Sequence, residues 1–131
     1  MIFVDSNIPM YVIGADHPNK RRSMELLETF IRTQERLVTS TEVFQEILHR
    51  YTAISRLDAI DPAFDCLQGL VDEVLNFDMS DVIRAKAIVA ELRSVSSRDA
   101  LHVAVMESVD IKRIMSFDRG FDACRWVERL S

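Results

Sequence analysis

Four acidic residues of this sequence occupy positions from which side chains commonly do chemistry. Asp5 follows a short apolar run near the start of the chain, and Asp118 follows a second apolar run near its end. Asp99 is the third residue of the stretch SRDALHVAVM, just ahead of its apolar part, and Glu46 lies within TEVFQEILHRYTAI. Parallel strands end at one edge of a sheet, and open α/β sheets bind their ligands at that edge. We therefore predict that the four carboxylates converge there.

Converging carboxylates repel one another and raise one another's pKa unless a cation neutralises them. Hard oxygen ligands in this number suit Mg²⁺ or Mn²⁺. One or two such ions can activate water and stabilise the leaving oxygen in phosphodiester cleavage. The chain carries a net charge of −5, whereas proteins that bind nucleic acid by charge alone are usually basic. A metal would reconcile this acidic chain with a polyanionic substrate.

Each of these residues also has a purely structural interpretation. Asp5, Asp99 and Asp118 could each cap a helix. Glu42 shares a helix face with Glu46, and such a face is often simply solvated. His102 is expected to pack or to bond locally rather than to bind a metal. The joint placement of the acidic residues, more than any one of them, favours the metal site.

The elements that must position these residues follow from hydrophobic periodicity. Short apolar runs alternate with longer amphipathic stretches, which predicts one α/β domain over residues 1–131 with a mostly parallel sheet and right-handed crossovers. The predicted strands are 2–4, 37–39, 74–77, a segment within 111–117 and a short edge strand within 126–130. The predicted helices are one capped by Asn7 with Pro9 in its first turn, 18–33, 41–54 capped by Ser40 or Thr41, 63–74, 81–93 capped by Ser80, and one beginning at Ser97 or Asp99.

Composition limits the other possibilities. The chain is 48% hydrophobic, which is enough for a core. Cys66 and Cys124 lie far apart without a His or Cys cluster, so we expect reduced thiols rather than disulfides or zinc. The first residues lack the basic segment of a signal peptide, and no apolar run approaches membrane-spanning length. We expect a cytoplasmic protein that does not bind membranes.

Four segments, in this order, resemble the signatures of PIN-domain nucleases. They are VDSN at 4–7, STEVFQEI at 40–47, SSRDALHVA at 96–104 and MSFDRGFD at 115–122. The size of the chain is most similar to VapC-type toxins of toxin–antitoxin pairs. The resemblance implies a three-layer α/β/α sandwich with a mostly parallel, about five-stranded sheet, and a Mg²⁺- or Mn²⁺-dependent ribonuclease.

The resemblance also assigns roles to residues. Asp5, Glu46, Asp99 and Asp118 match the catalytic, metal-binding carboxylates of the family, and the family spacing from Ser40 selects Glu46 over Glu42. Ser6, Asn7 and Ser116 match small polar positions that orient the carboxylates, and Asp122 is an outer participant. Apart from the resemblance, basic side chains are candidates for holding RNA phosphates around the acidic centre, namely Lys20, Arg21, Arg22, His49, Arg50 and Arg98.

These observations predict a metal-dependent endoribonuclease. The resemblance implies a small antitoxin as partner, and a homodimer, for which the apolar stretch 10–13 beside the active edge is a candidate surface. The alternative is a non-catalytic PIN domain that binds RNA or a protein. A phosphoaspartyl receiver is a third interpretation, but such proteins need a lysine near the last strand, where this chain has Asp118.

Overall fold

The computed structural model describes all 131 residues and is built around a five-stranded parallel sheet. The strands are β1 (Ile2–Val4), β2 (Leu37–Ser40), β3 (Glu73–Leu75), β4 (Arg113–Met115) and β5 (Glu128–Leu130). Their order across the sheet is β3-β2-β1-β4-β5. The chain thus moves outward from β1 on one side and then crosses to β4 on the other. The point between β1 and β4 is where such sheets open a crevice for ligands.

Six helices cover the sheet and make the predicted three-layer α/β/α sandwich. They are α1 (Asn7–Ile13), α2 (Pro18–Arg32), α3 (Thr41–Ala53), α4 (Ile60–Leu70), α5 (Met79–Glu91) and α6 (Ser97–Ser108). Helix α1 contacts α2 and α4, and α3 contacts α4, so the first four helices form one group. Helix α5 packs along α6 and forms a second group with it. The crossovers from β1 to β2 and from β2 to β3 run in one direction across the sheet, and the crossover from β3 to β4 runs in the other. Right-handed crossovers in opposite directions place the two groups of helices on opposite faces. None of the helices is both long and apolar enough to cross a membrane.

Several helix starts differ from the predicted ones. Asn7 is the first residue of α1 rather than its cap, which is Ser6. Asp78, not Ser80, caps α5, because its carboxylate accepts the Ser80 N–H at 2.9 Å while Asp81 accepts the Asp78 N–H at 3.0 Å. This reciprocal capping box satisfies two backbone donors that Ser80 alone would leave unpaired.

The segment around β3 also differs from the prediction. The helix predicted over 63–74 is α4, which begins at Ile60 and ends at Leu70. The Asp72 N–H donates to the carbonyl of Leu37 at 2.8 Å, and the Asp72 carboxylate accepts the Leu37 N–H at 2.9 Å. These two bonds to β2 pull the chain out of the helix and start β3 at Glu73, one residue before the predicted strand.

The core gives the functional edge a rigid support. Strand β1 is completely buried, as expected for the central strand of a parallel sheet. Helix α6 is buried along nearly its whole length, including Ala100 and Val103 through Met106. The stretch 10–13, the candidate surface for a homodimer, is partly buried, and Met10, Val12 and Ile13 pack against this core. Both cysteines are free thiols, as predicted.

Candidate active site

The four predicted carboxylates line one cavity of about 420 Å³ at the carboxyl ends of β1 and β4. Asp5 and Glu46 form what we call the inner pair, and Asp99 and Asp118 the outer pair. Asp5 is 3% exposed and Asp99 8% exposed, whereas Asp118 is open to solvent. Residues more than a hundred positions apart in the chain therefore meet at the predicted edge. Glu42 instead borders a separate groove.

The position of Asp5 follows from strand register. Val4 pairs with Met115, so Asp5 and Ser116 leave the sheet side by side. The Ser116 hydroxyl donates to Oδ2 of Asp5 at 2.6 Å. A short bond of this kind, in a completely buried setting, fixes the orientation of the carboxylate.

Two further predicted orienting residues complete this network. The Ser6 N–H donates to Oδ1 of Asp5 at 2.7 Å, and Nδ2 of Asn7 donates to Oδ2 of Asp5 at 3.1 Å. The same Asn7 amide donates to the Ser116 hydroxyl at 3.1 Å, and its Oδ1 accepts the Phe117 N–H at 3.3 Å. Asn7 therefore ties the loop after β1 to the loop after β4.

Glu46 is held by groups from two other elements. The Ser6 hydroxyl donates to its Oε2 at 2.9 Å. Nε2 of His102, on α6, is hydrogen-bonded to its Oε1 at 2.8 Å and lies 3.9 Å from Oδ1 of Asp5. His102 is completely buried, and its Nδ1 has no hydrogen-bond partner. His102 thus contacts both acids of the inner pair through Nε2.

His102 contacts Glu46 across the site, whereas the sequence predicted only packing or a local bond for it. The bond joins residues 56 positions apart on two helices, which no periodicity predicts. The available signal was its spacing of three from Asp99, because residues i and i+3 share a helix face. A face that presents Asp99 to the cavity also presents His102 beneath it.

The outer pair is placed by helix capping and by a turn. Ser96 caps α6 by accepting the Asp99 N–H at 3.1 Å, so the Asp99 carboxylate is not the cap and faces the cavity. Asp118 accepts the Gly120 N–H at 2.8 Å and so caps the short 3₁₀ turn Arg119–Ala123. A Cβ on Gly120 would lie 3.1 Å from an oxygen of each carboxylate of the outer pair. Glycine leaves room for the two acids at this point.

Crowding raises the pKa of one acid in each pair. Burial, followed by the charge of Asp118 and then that of Asp5, raises the pKa of Asp99 from 3.8 to about 7. Burial also raises the pKa of Asp5, although His102 and the Ser116 hydroxyl oppose this. The site therefore resists carrying all its negative charges at neutral pH.

His102 relieves part of this repulsion. Burial alone would raise the pKa of Glu46, but the hydrogen bond and charge of His102, together with the Ser6 hydroxyl, outweigh burial and lower it. Burial would likewise lower the pKa of His102, but Glu46 and Asp5 outweigh it and raise that pKa. The imidazolium and Glu46 thus stabilise each other's charged form.

The donor set fits a divalent cation. A carboxylate oxygen of Asp5 and one of Glu46 lie within 4.8 Å of each other, beside His102, whose charged form balances these acids and does not itself bind a cation. The outer pair adds two carboxylates that face the same cavity. Carboxylate oxygens in this number are characteristic of sites for hard cations. The repulsion that raises the pKa of Asp99 is the kind that a bound cation removes.

The predicted RNA-binding residues are divided between the cavity and the remaining surface. Arg50 and Arg98 line the cavity, on α3 and α6. Lys20 donates through Nζ to the carbonyl of Gly14 at 2.8 Å, which fixes the turn between α1 and α2. Arg22 lies 3.6 Å from Glu25. The cavity-facing arginines are therefore the stronger candidates for contact with phosphate.

The remaining basic candidates, Arg21 and His49, are exposed side chains outside the residues that line the cavity. Asp122, the predicted outer participant, does not line the cavity either. Its carboxylate accepts from Nε of Arg129 at 2.8 Å, and Nη1 of Arg129 donates to the carbonyl of Ser116 at 3.2 Å. Asp122 thus reaches the site only through Arg129 and Ser116.

The chain is similar to several known proteins. The family model described as PIN domain matches residues 2–126. Ribonuclease VapC13 of Mycobacterium tuberculosis is 54% identical over 131 residues, which cover 100% of both chains. The crystal structure of M. tuberculosis VapC20, a sarcin-ricin loop cleaving toxin, superposes with a TM-score of 0.80 at 22% identity and covers 98% of each chain. A toxin-antitoxin complex from Klebsiella pneumoniae gives a TM-score of 0.69 at 13% identity, covering 100% of this chain and 97% of its counterpart.

Proposed function

The chain belongs to the PIN-domain family, and we propose that it is a metal-dependent endoribonuclease of the VapC type, which hydrolyses RNA phosphodiester bonds. The observation that carries this proposal is the meeting of Asp5, Glu46, Asp99 and Asp118 in one cavity. The naming of a full-length relative as a ribonuclease supports it. All four acidic positions are intact, which counts against a non-catalytic binding module.

Asp5, Glu46, Asp99 and Asp118 would hold Mg²⁺ or Mn²⁺, as one or two ions. When bound, such a cation supplies positive charge at the phosphate and lowers the pKa of the attacking water. Ser6, Asn7 and Ser116 keep the inner carboxylates oriented toward the cavity. Partners that orient metal ligands in this way typically contribute about 10- to 100-fold in metal affinity or activity.

The remaining residues of the cavity act on the substrate and on the charge of the site. Arg50 and Arg98 attract the phosphates that flank the scissile bond, which the net negative charge of the chain would otherwise repel. His102 keeps Glu46 ionised and oriented through its 2.8 Å hydrogen bond. The chain thus supplies an acidic centre with a basic border.

We further propose that a small antitoxin protein inhibits this activity and that the chain acts as a homodimer. The similarity of the fold to a toxin-antitoxin complex supports the first of these proposals. Co-expression with the neighbouring open reading frame tests it, because a partner should form a stable complex and suppress cleavage. Sedimentation velocity of the purified chain tests the dimer, and a monomer at all concentrations would refute it.

The central experiment titrates MgCl₂ and MnCl₂ into an RNA cleavage assay. The wild type, Asp5→Asn and Asp65→Asn are compared, since Asp65 is an exposed acid on α4 that does not line the cavity. We expect metal-dependent cleavage by the wild type and Asp65→Asn, and none by Asp5→Asn. Equal metal-dependent cleavage by all three chains would contradict the proposal. RNA binding without cleavage would favour the non-catalytic alternative.

A further inference from the structure

One side of the acidic cavity is aromatic. Tyr11, on α1, lines the cavity together with Asp5 and Asp99, and its side chain is only partly buried. The other tyrosine at the cavity, Tyr51, is 7% exposed and so is almost completely enclosed. Tyr11 is therefore the aromatic ring that a molecule in the cavity can reach.

Two neighbouring rings hold Tyr11 in place. The ring of His17 lies 4.9 Å from it at 33°, and that of Phe117 lies 5.4 Å from it at 79°, an edge-to-face contact. Nδ1 of His17 accepts the Asn19 N–H at 3.0 Å, and the Phe117 N–H donates to Oδ1 of Asn7. The His17 ring and the Phe117 backbone are thus anchored by hydrogen bonds, the latter to the network that orients the carboxylates.

The chemistry of the cavity matches the parts of a nucleotide. Arginine and carboxylate groups suit a phosphate and its counter-cation, whereas a fixed aromatic ring suits a base. We propose that Tyr11 stacks on the base of a nucleotide next to the scissile phosphate, and that this contact selects unpaired RNA. The inference rests on the proposed nuclease function and goes beyond it by assigning a residue to substrate selection.

Stacking on Tyr11 requires a base with a free face. In an RNA duplex each base is covered by its neighbours, whereas single-stranded loops and ends present bases that can be splayed out onto a protein ring. Every base has a π-face, so the contact tolerates many sequences. Tyr11 would therefore favour unpaired over paired RNA without fixing which base is read.

Cleavage kinetics with short single-stranded RNA in MgCl₂ provide the first test. We expect Tyr11→Leu to raise KM by about 5- to 150-fold, the range usual for loss of one base–aromatic stack, with little change in kcat. Tyr11→Phe keeps the ring and should stay close to the wild type. Phe64→Leu is the matched control, because Phe64 is also half-buried and packs edge-to-face, on Phe44 at 5.0 Å, but does not line the cavity.

A second readout reports stacking directly and does not need cleavage. Single-stranded RNA with 2-aminopurine at successive positions is bound to chains that also carry the exposed Asp118→Asn substitution, which is expected to block cleavage. We expect binding to quench the fluorescence at one position, and Tyr11→Leu to abolish this quenching while Tyr11→Phe retains it. A duplex of the same sequence should bind with the same affinity to the chain that keeps Tyr11 and to the chain with Tyr11→Leu.

The outcomes separate this proposal from the proposed function. If Tyr11→Leu cleaves RNA with the KM of the wild type, and quenches 2-aminopurine as strongly as the chain that keeps Tyr11, the stacking role is wrong and the proposed nuclease function stands. A higher KM with unchanged quenching also overturns it, because the residue then acts only on local structure. If the wild type neither cleaves nor binds RNA, the proposed function fails, and the stacking role fails with it.

Discussion

Asp99→Asn should stabilise the metal-free protein, although it removes a proposed metal ligand. The carboxylate is 8% exposed, and the charges of Asp118 and Asp5 add to the effect of burial. Asparagine has nearly the same shape and no charge, so it removes the repulsion without opening a cavity. The substitution therefore separates the electrostatic strain of the site from its packing.

The size of the effect follows from the pKa of Asp99. The folded protein raises this pKa from 3.8 to about 7, and each pKa unit is worth about 1.4 kcal/mol, so ionised Asp99 costs at most about 4 kcal/mol of folding free energy above neutral pH. The buried amide of asparagine recovers only part of this cost. We expect Asp99→Asn to raise the free energy of unfolding by about 2 kcal/mol at about pH 8 in EDTA.

The sign with pH is fixed by the direction of the shift. An acid whose pKa is raised by folding destabilises the folded state as pH rises from its unfolded pKa toward its folded pKa. The free energy of unfolding of the metal-free wild type should therefore decrease as pH rises from about 4 to about 7. At about pH 5 most folded chains carry a proton on Asp99, so the advantage of Asp99→Asn should fall by more than half.

Urea unfolding followed by circular dichroism measures these differences. Asp65→Asn, which removes an exposed acid, is the control and should change the free energy of unfolding by less than about 0.5 kcal/mol. Saturating Mn²⁺ should reverse the order, since a ligand present at about 100 times its Kd stabilises the wild type by about 2.7 kcal/mol and the variant less. If Asp99→Asn gives no stabilisation in EDTA at about pH 8, or one that is independent of pH, repulsion among the carboxylates does not strain the folded chain.

Three further predictions concern neighbours of the carboxylates. Gly120→Ala brings a Cβ to 3.1 Å from an oxygen of each carboxylate of the outer pair. Calorimetry should therefore show the affinity for Mn²⁺ reduced about 10-fold, and an unchanged affinity would show that the acids can move aside. His102→Leu leaves buried Glu46 without its partner and should destabilise the metal-free chain by about 3 kcal/mol in urea, opposite in sign to the Asn substitution above. A stabilised chain would refute the ionic role of the histidine. Asp122→Asn removes only the contact of an exposed carboxylate with Arg129, so it should cost at most about 1 kcal/mol of stability and lower cleavage less than about 10-fold. A complete loss of cleavage would place Asp122 in the site itself.

The sequence was sufficient to predict the sheet edge and the four acids that meet there. The signal was strong because β1 is a continuous apolar run followed directly by Asp5, and because Asp99 lies in the first turn of a helix that is buried over most of its length. In both cases local pattern and tertiary burial agree. Strand and helix assignments were accurate wherever this agreement held.

The structure differs from the predictions where tertiary contacts determine the local conformation. The bond of His102 to Glu46 depends on the packing of two helices, which periodicity does not reveal. The start of β3 depends on Asp72, whose backbone and side chain both bond Leu37 of the neighbouring strand. The apolar stretch 10–13 was a candidate for exposed surface, yet the same residues lie against the core and the cavity.

The bond between Ser116 and Asp5 joins residues 111 positions apart and has a consequence for synthesis. More than a hundred residues are synthesised between Asp5 and Ser116, so β4 and Asp118 leave the ribosome long after Asp5. Until then Asp5 lacks its Ser116 donor, and one member of the outer pair has not been translated. A nascent chain therefore has no complete acidic site until both Ser116 and Asp118 have been made.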